Sequence, residues 1–296
     1  MPLTSHKHGF SLVELSTPAS GCASAERAGK QGFSLVELSI VLVILGLLTG
    51  SVVIGQNLIH SAEINRTISQ TQQYVSATNA FREKYSALPG DMRNATDYWG
   101  AAGGGGVGSA CFTTESFGEA TCNGDGDGRI RTPAGGTGVW ANGETFHAWK
   151  HLANAGLIEG AYSGVSNDSS DFEVNGGYNV PSHALSEIGN FIFFYIGYID
   201  AGDGWYFPGN YKNTVVIGGS VLGGGTRHGR HAAISTKEAY NIDRKIDDSF
   251  PSTGQLRAPI NSRRGNCADS DDPADAEYQI DNDLEEACFV VYMLGY

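Results

Sequence analysis

Charge is scarce in this 296-residue chain. Charged residues make up 17% of it, against roughly 25% in an average soluble domain. Basic residues are scarcer still, 19 against 32 acidic, for a net charge of −13. A chain that acidic lacks the electrostatic footprint that binds phosphate backbones, so nucleic acid is not an expected partner. Nine prolines and the absence of a strict glycine triplet exclude a collagen-like rod. No phosphate-cradling loop is present either, because Gly103–Gly106 is followed by no Lys-Ser/Thr pair. Nor is there a nucleophile-elbow sequence. Apolar content of 41% argues against disorder. The 41 glycines, about twice the usual share, imply many loops.

The little positive charge there is comes early. Residues 1–32 carry Lys7, Arg27 and Lys30 against Glu14 and Glu26, a balance of +1, and the remainder carries −14. From Leu38 through Ala62 no charge occurs. As a helix those 25 residues would extend roughly 38 Å, enough to cross a bilayer. Arg27 and Lys30 place the preceding end in the cytoplasm and everything after about Ala62 outside. A cleaved signal peptide has the same polarity, but no small-x-small cleavage site follows. Instead an apolar stripe continues at Ile64, Ile68, Val75, Thr78, Phe81 and Tyr85, predicting one helix from Phe33 to about Tyr85, roughly 80 Å long. Leu88-Pro89-Gly90 ends it.

Within the apolar run stands one acid, Glu37, in Gly32-Phe33-Ser34-Leu35-Val36-Glu37-Leu38. An unpaired carboxylate inside a membrane costs several kcal/mol, which marks it as functional. The run KQGFSLVELSIVLVILGLL resembles the class III leader of type IV pilins and type II secretion pseudopilins over about Gln31 to Leu48. The resemblance implies that a prepilin peptidase cleaves after Gly32 and N-methylates Phe33. It also implies that Glu37 pairs with the positive terminus of Phe33 in an adjacent subunit. Paired, the two charges are tolerated in an apolar filament core where each alone is not.

Two departures from the family pattern stand out. No proline interrupts the run, and Gly46, Gly50 and Gly55 are either weak points in the helix or sites of close helix packing. Gly9–Ser16 duplicates Gly32–Ser39 but runs into Thr17-Pro18-Ala19-Ser20-Gly21, so the cut is placed at Gly32. The resulting division is a leader (1–32), a transmembrane and polymerisation half of helix 1 (33–62), and a periplasmic or extracellular head (63–296). The fold class expected is α+β and pilin-like, a long N-terminal helix against an antiparallel sheet. In the head, Asn142 followed by Gly143-Glu144-Thr145 starts a short helix carrying Phe146, Trp149, Leu152 and Ala153 and ended by Gly156, and Ser235–Glu238 is a capping box opening a helix through about Ile246. Phe191–Ile199, Asn213–Ile217 and Cys288–Leu294 read as strands.

Cleavage at Gly32 removes Cys22 and leaves Cys111, Cys122, Cys267 and Cys288 in an oxidising compartment, where three pairings are open. Cys111–Cys122 would close a short loop. The resemblance favours Cys267–Cys288, because many pilins close a C-terminal loop this way.

Calcium is the one cofactor expected. Asn123, Asp125 and Asp127 occupy the first, third and fifth positions of an EF-hand-like loop, with Gly128 sixth and the Arg129 carbonyl seventh. The twelfth position is Ala134, so Glu119 or Glu144 would have to close the cage. The competing reading is a Gly-Asp turn with no ion. His147 and His151 stand four apart, but Ala148 replaces the general-base glutamate of a zinc protease. His228 and His231 are flanked by Arg227 and Arg230, which oppose a cation. Asp247-Asp248 and Asp269–Glu286 read as solvated acidic faces.

The reading as a whole is a non-enzymatic filament subunit, pilus or secretion pseudopilus, anchored in the bacterial inner membrane before assembly. Its expected partners are identical or homologous pilin subunits, the prepilin peptidase, the membrane and the inner-membrane assembly platform. A tip subunit with an adhesive head and a membrane-tethered periplasmic enzyme are the alternatives; the enzyme would not need Glu37.

Overall fold

The computed structural model describes residues 33–106, 111, 113–131, 143–166, 173–220, 230–262, 265–282 and 286–296. The leader 1–32 with its duplicated motif, Gly32 and Cys22, as well as Ala134, Asn142 and His228, lie outside the described residues. The chain divides into two compact units, 1–52 and 53–296. In order, the elements are α1 (Leu35–Tyr85), α2 (Ala95–Trp99), α3 (Glu144–Asn154), β1 (Gly189–Ile199), β2 (Gly209–Gly219), α4 (Thr236–Ile246), β3 (Leu256–Arg257), β4 (Asn261–Ser262), β5 (Gly265–Asn266) and β6 (Val290–Met293).

In the first unit the described residues are the start of α1. Its apolar side chains are solvent-facing, Phe33 being 82% exposed and Leu35 86%. An 18-residue window of α1 is apolar enough to cross a membrane, and none of it is buried. The helix is continuous through Gly46, Gly50 and Gly55, and a Cβ added at any of them would meet nothing within 4 Å.

The second unit is built around the sheet β1-β2-β6-β3, antiparallel throughout. Together with the long N-terminal helix this is the α+β, pilin-like architecture. The residues of α1 that reach the core are Ile64, Thr67, Ile68, Thr71, Tyr74, Ala77, Thr78 and Phe81. Tyr74, rather than the expected Val75, is the buried residue of its turn, its ring set edge-on to Trp149 (centroids 4.9 Å) and Phe191 (5.0 Å). Three of the buried residues are threonines, and each returns its hydroxyl to the carbonyl four residues back: Thr67 to Glu63, Thr71 to Thr67 and Thr78 to Tyr74. That local bond is what lets a polar side chain sit in the core.

α3 ends in a Schellman motif. Gly156 adopts φ +71°, its N–H donates to Ala153 O, and the Leu157 N–H donates to Leu152 O. α4 starts on the expected capping box, with Glu238 N–H to Ser235 Oγ (3.2 Å) and Ser235 N–H to Glu238 Oε2 (2.6 Å), and buries Ala239 and Ile242. After α1, Gly90 (φ +86°) passes so close to α3 that a Cβ would lie 2.2 Å from Glu144 O. Two disulfides, Cys111–Cys122 and Cys267–Cys288, bridge the loops around this core.

Candidate processing and assembly site, and the acidic loop

Sequence reasoning singled out Phe33 and Glu37 but missed the bond that Glu37 makes to Ser34. Ser34 is the N-cap of α1, and Ser34-Leu35-Val36-Glu37 has the S-x-x-E spacing of a capping box. The Glu37 carboxylate reaches back to accept the Ser34 N–H (2.9 Å), and Ser34 Oγ accepts the Val36 N–H (3.3 Å). Leu38 N–H closes the first turn on Ser34 O (3.1 Å). An orphan donor at a helix start and an acid in an apolar run thus satisfy one another. Among the described residues Glu37 has this one polar partner, the peptide N–H that immediately follows Phe33. The spacing was legible in the sequence and is the signal that could have found this bond.

The acidic loop is held differently from the expected EF-hand pattern. Asn123 turns its Oδ1 to the Thr96 N–H (2.9 Å) rather than toward Asp125 and Asp127. In its place the loop gains Asp91, which sequence reasoning did not name as a ligand because 34 residues separate it from Asp125. Carboxylate oxygens of Asp91, Asp125 and Asp127 come within 4.8 Å of one another. Asp91 Oδ1 and Oδ2 accept the N–H groups of Asp127 (3.1 Å) and Gly128 (2.8 Å). Glu144, from the first turn of α3, accepts those of Asp125 (3.1 Å) and Arg131 (3.2 Å). The Arg131 guanidinium donates to Asp127 Oδ2 and stands 3.8 Å from Asp125 Oδ2. Arg129 points its guanidinium over the Tyr195 ring (4.9 Å). Burial raises the Glu144 carboxyl to about 8, with the Asp125 N–H opposing and the charge of Asp91 adding to it. Asp91 is raised as well, again chiefly by burial.

The histidines of α3 form a structural staple. Gly90 N–H fills His151 Nδ1 (2.9 Å), so the neutral ring carries its proton on Nε2 and donates it to Thr121 Oγ1 (2.9 Å). The same hydroxyl lies 3.2 Å from His147 Nδ1. Burial lowers His151 to about 3 and His147 well below its ordinary value, which keeps both rings neutral. Lys150, also buried, donates to the carbonyls of Ser116, Gly118 (2.8 Å) and Tyr162 (3.3 Å), and burial lowers it to about 8. All three residues serve to pin the Cys111–Cys122 loop to α3. The other acidic group, Asp243, Asp247 and Asp248, works as a set of caps. Asp243 accepts from Tyr278 Oη (2.8 Å) and the Ser249 N–H (3.3 Å), Asp247 accepts from the Gln255 and Leu256 N–H groups, and Asp248 accepts from Phe250 N–H and Thr253 Oγ1.

Residues 27–53 match the family model described as the prokaryotic N-terminal methylation motif, the prepilin cleavage motif of type IV pilins and pseudopilins. The match brackets Gly32, Phe33 and Glu37 and covers about a tenth of the chain. Neither a curated protein nor a solved structure matches it.

Proposed function

We propose that the chain is a non-enzymatic structural subunit of a type IV pilus-like or secretion pseudopilus filament, cut between Gly32 and Phe33 and assembled through α1. The observation that carries this reading is the conjunction at one helix start: the methylation motif over 27–53, a fully exposed apolar α1 segment, and Glu37 as its lone acid. In the proposed filament, neighbouring subunits bury that segment, and each Glu37 meets the methylated amine of another subunit's Phe33. The division 1–32, 33–62 and 63–296 then follows as leader, membrane and polymerisation half, and exported head. Before assembly the subunit stands in the inner membrane with its leader in the cytoplasm, the orientation that Arg27 and Lys30 favour. Mass spectrometry of the N-terminus from the native host tests this: a chain beginning with N-methylated Phe33 is expected. A chain beginning at Met1, or after Ile54, would refute it.

Calcium in the acidic loop is part of the same proposal. Asp91 and Glu144 are buried carboxylates whose ionisation burial opposes, and ions taken from water are offset by pairing or by metal coordination. A divalent ion bridging Asp91, Asp125 and Asp127 would supply that offset with oxygen ligands alone. Thermal melting of the full chain in detergent, with calcium against chelator, is expected to show a calcium-dependent rise that Asp125→Ala/Asp127→Ala abolishes. No rise in wild type would leave the loop as a turn closed by its own hydrogen bonds.

A further inference from the structure

Phe194, Ile196 and Ile199 of β1, Phe289 before β6, the Asp203–Tyr206 turn, Arg230 and His231 enclose a cavity of about 320 Å³. That is the small end of the 300–1,000 Å³ range of ligand pockets. None of these residues belongs to the assembly face, the acidic loop or the histidine staple.

The cavity joins two kinds of chemistry. One side is an aromatic platform held ready. Trp205 is 44% exposed, although Phe207 two residues on is fully buried. Its backbone is fixed by the turn: Asp203 Oδ2 accepts the N–H groups of Trp205 (3.2 Å) and Tyr206 (3.1 Å), and the Ile260 N–H donates to Trp205 O (2.9 Å). The turn that carries the indole is thus fixed by its backbone, and the ring itself is left open to solvent. The lining also holds an incompletely used cation. The Arg230 guanidinium lies 3.9 Å over the Phe194 ring and donates to Tyr206 Oη (3.3 Å). Its Nε is buried without a partner, and among the described residues no carboxylate lies within 4.0 Å of it. A guanidinium has five donors, and the bond to Tyr206 Oη uses one of its terminal nitrogens.

These features restrict the occupant. A hydrocarbon would leave Arg230 unsatisfied, and a small inorganic anion would meet Asp203 and make no use of the aromatic wall. A pyranose ring has an apolar C–H face to lay on indole, oxygens to accept from Arg230, and hydroxyls to donate to Asp203. We propose that this cavity binds a saccharide, stacked on Trp205 and Tyr206 and read by Arg230 and Asp203. The proposal does not rest on the filament reading, since it concerns what the head recognises in whatever assembly carries it.

The test is calorimetric titration of the full chain in detergent with cellobiose, lactose, N,N′-diacetylchitobiose and digalacturonate. Saturable binding of at least one of them is expected, weakened tenfold or more by Trp205→Ala with the melting temperature unchanged. Arg230→Gln is expected to weaken it similarly, and Trp205→Phe to retain part of it. A preference for digalacturonate would assign Arg230 to a carboxylate, and a preference for the neutral sugars would assign it to hydroxyls; both support the site. No binding by any of the four would overturn the proposal, as would affinity unchanged in Trp205→Ala. Tighter binding of indole-3-propionate than of every saccharide would overturn it too.

Discussion

The two halves of α1 invert the usual relation between polarity and burial. Of the 23 large apolar side chains left exposed among the described residues, 17 lie between Phe33 and Ile59. Further along the same helix, Thr67, Thr71 and Thr78 are completely buried. Hydropathy alone would rank them the other way. What differs is where the partner is. The threonine half has Trp149, Phe191 and the rest of the head to pack on, and disposes of its hydroxyls locally. The apolar half has no packing partner among the described residues, and in the proposed reading lipid or another α1 supplies it.

The sharpest way to break this contrast is Glu37→Val, which makes the exposed half more apolar still. If that half serves assembly, membrane insertion stays intact while sheared filament falls at least tenfold. Wild-type filament yield from the variant would show that the acid has no part in assembly.

Next in size is a matched pair of truncations. Phe81→Ala removes a fully buried ring that packs against Tyr85 and His151 and is expected to cost about 3–5 kcal/mol. Leu42→Ala, an equally apolar position that is 70% exposed, should leave the melting temperature of the detergent-solubilised chain unchanged. Equal losses would erase the distinction between the halves.

Smaller, and confined to the head, is the effect of its cross-links. Cys267→Ser/Cys288→Ser opens a loop with a sequence separation of 21 and is expected to cost about 3 kcal/mol in a chain-entropy account. Chemical denaturation measures it, and no cost would mean that the loop is closed equally well without the bond.

The smallest predicted effect is a pH dependence. Burial raises Asp243 to about 7 in the fold, above its unfolded value, so the folded state holds the extra proton. Its contribution is therefore present at low pH and is lost as pH rises toward and through 7. Asp243→Asn should stabilise the chain at pH 8 relative to wild type and do so far less at pH 4, near the unfolded carboxyl's own value, as read from melting curves at the two values. An identical shift at both would assign the effect to packing rather than charge.

Patterns local in sequence were legible. The apolar run, the capping box of α4, Gly156 as the stop of α3 and the principal strands all rest on short spacings, and the structure places them within a few residues of expectation. Contacts that link distant segments were not. Asp91 joins the acidic loop from beyond the end of α1, and Arg230 meets Phe194 and Tyr206 from distant points of the chain, pairings that no local spacing encodes. Tyr74 displaced Val75 because two aromatic partners from α3 and β1 converge on its turn, which a helical period cannot distinguish from the adjacent position.

The bond between Glu37 and the Ser34 N–H bears on reversibility. In the proposed filament the carboxylate exchanges one donor for another: an amide of its own chain outside the filament, a neighbour's amine within it. A subunit withdrawn into the bilayer does not have to drag a bare anion with it, because the donor it gave up lies three residues away on the same helix. Entry and exit would then face similar electrostatic barriers. A filament built on such an exchange can be dismantled as readily as it is extended, with its direction set by whatever machinery pushes or pulls.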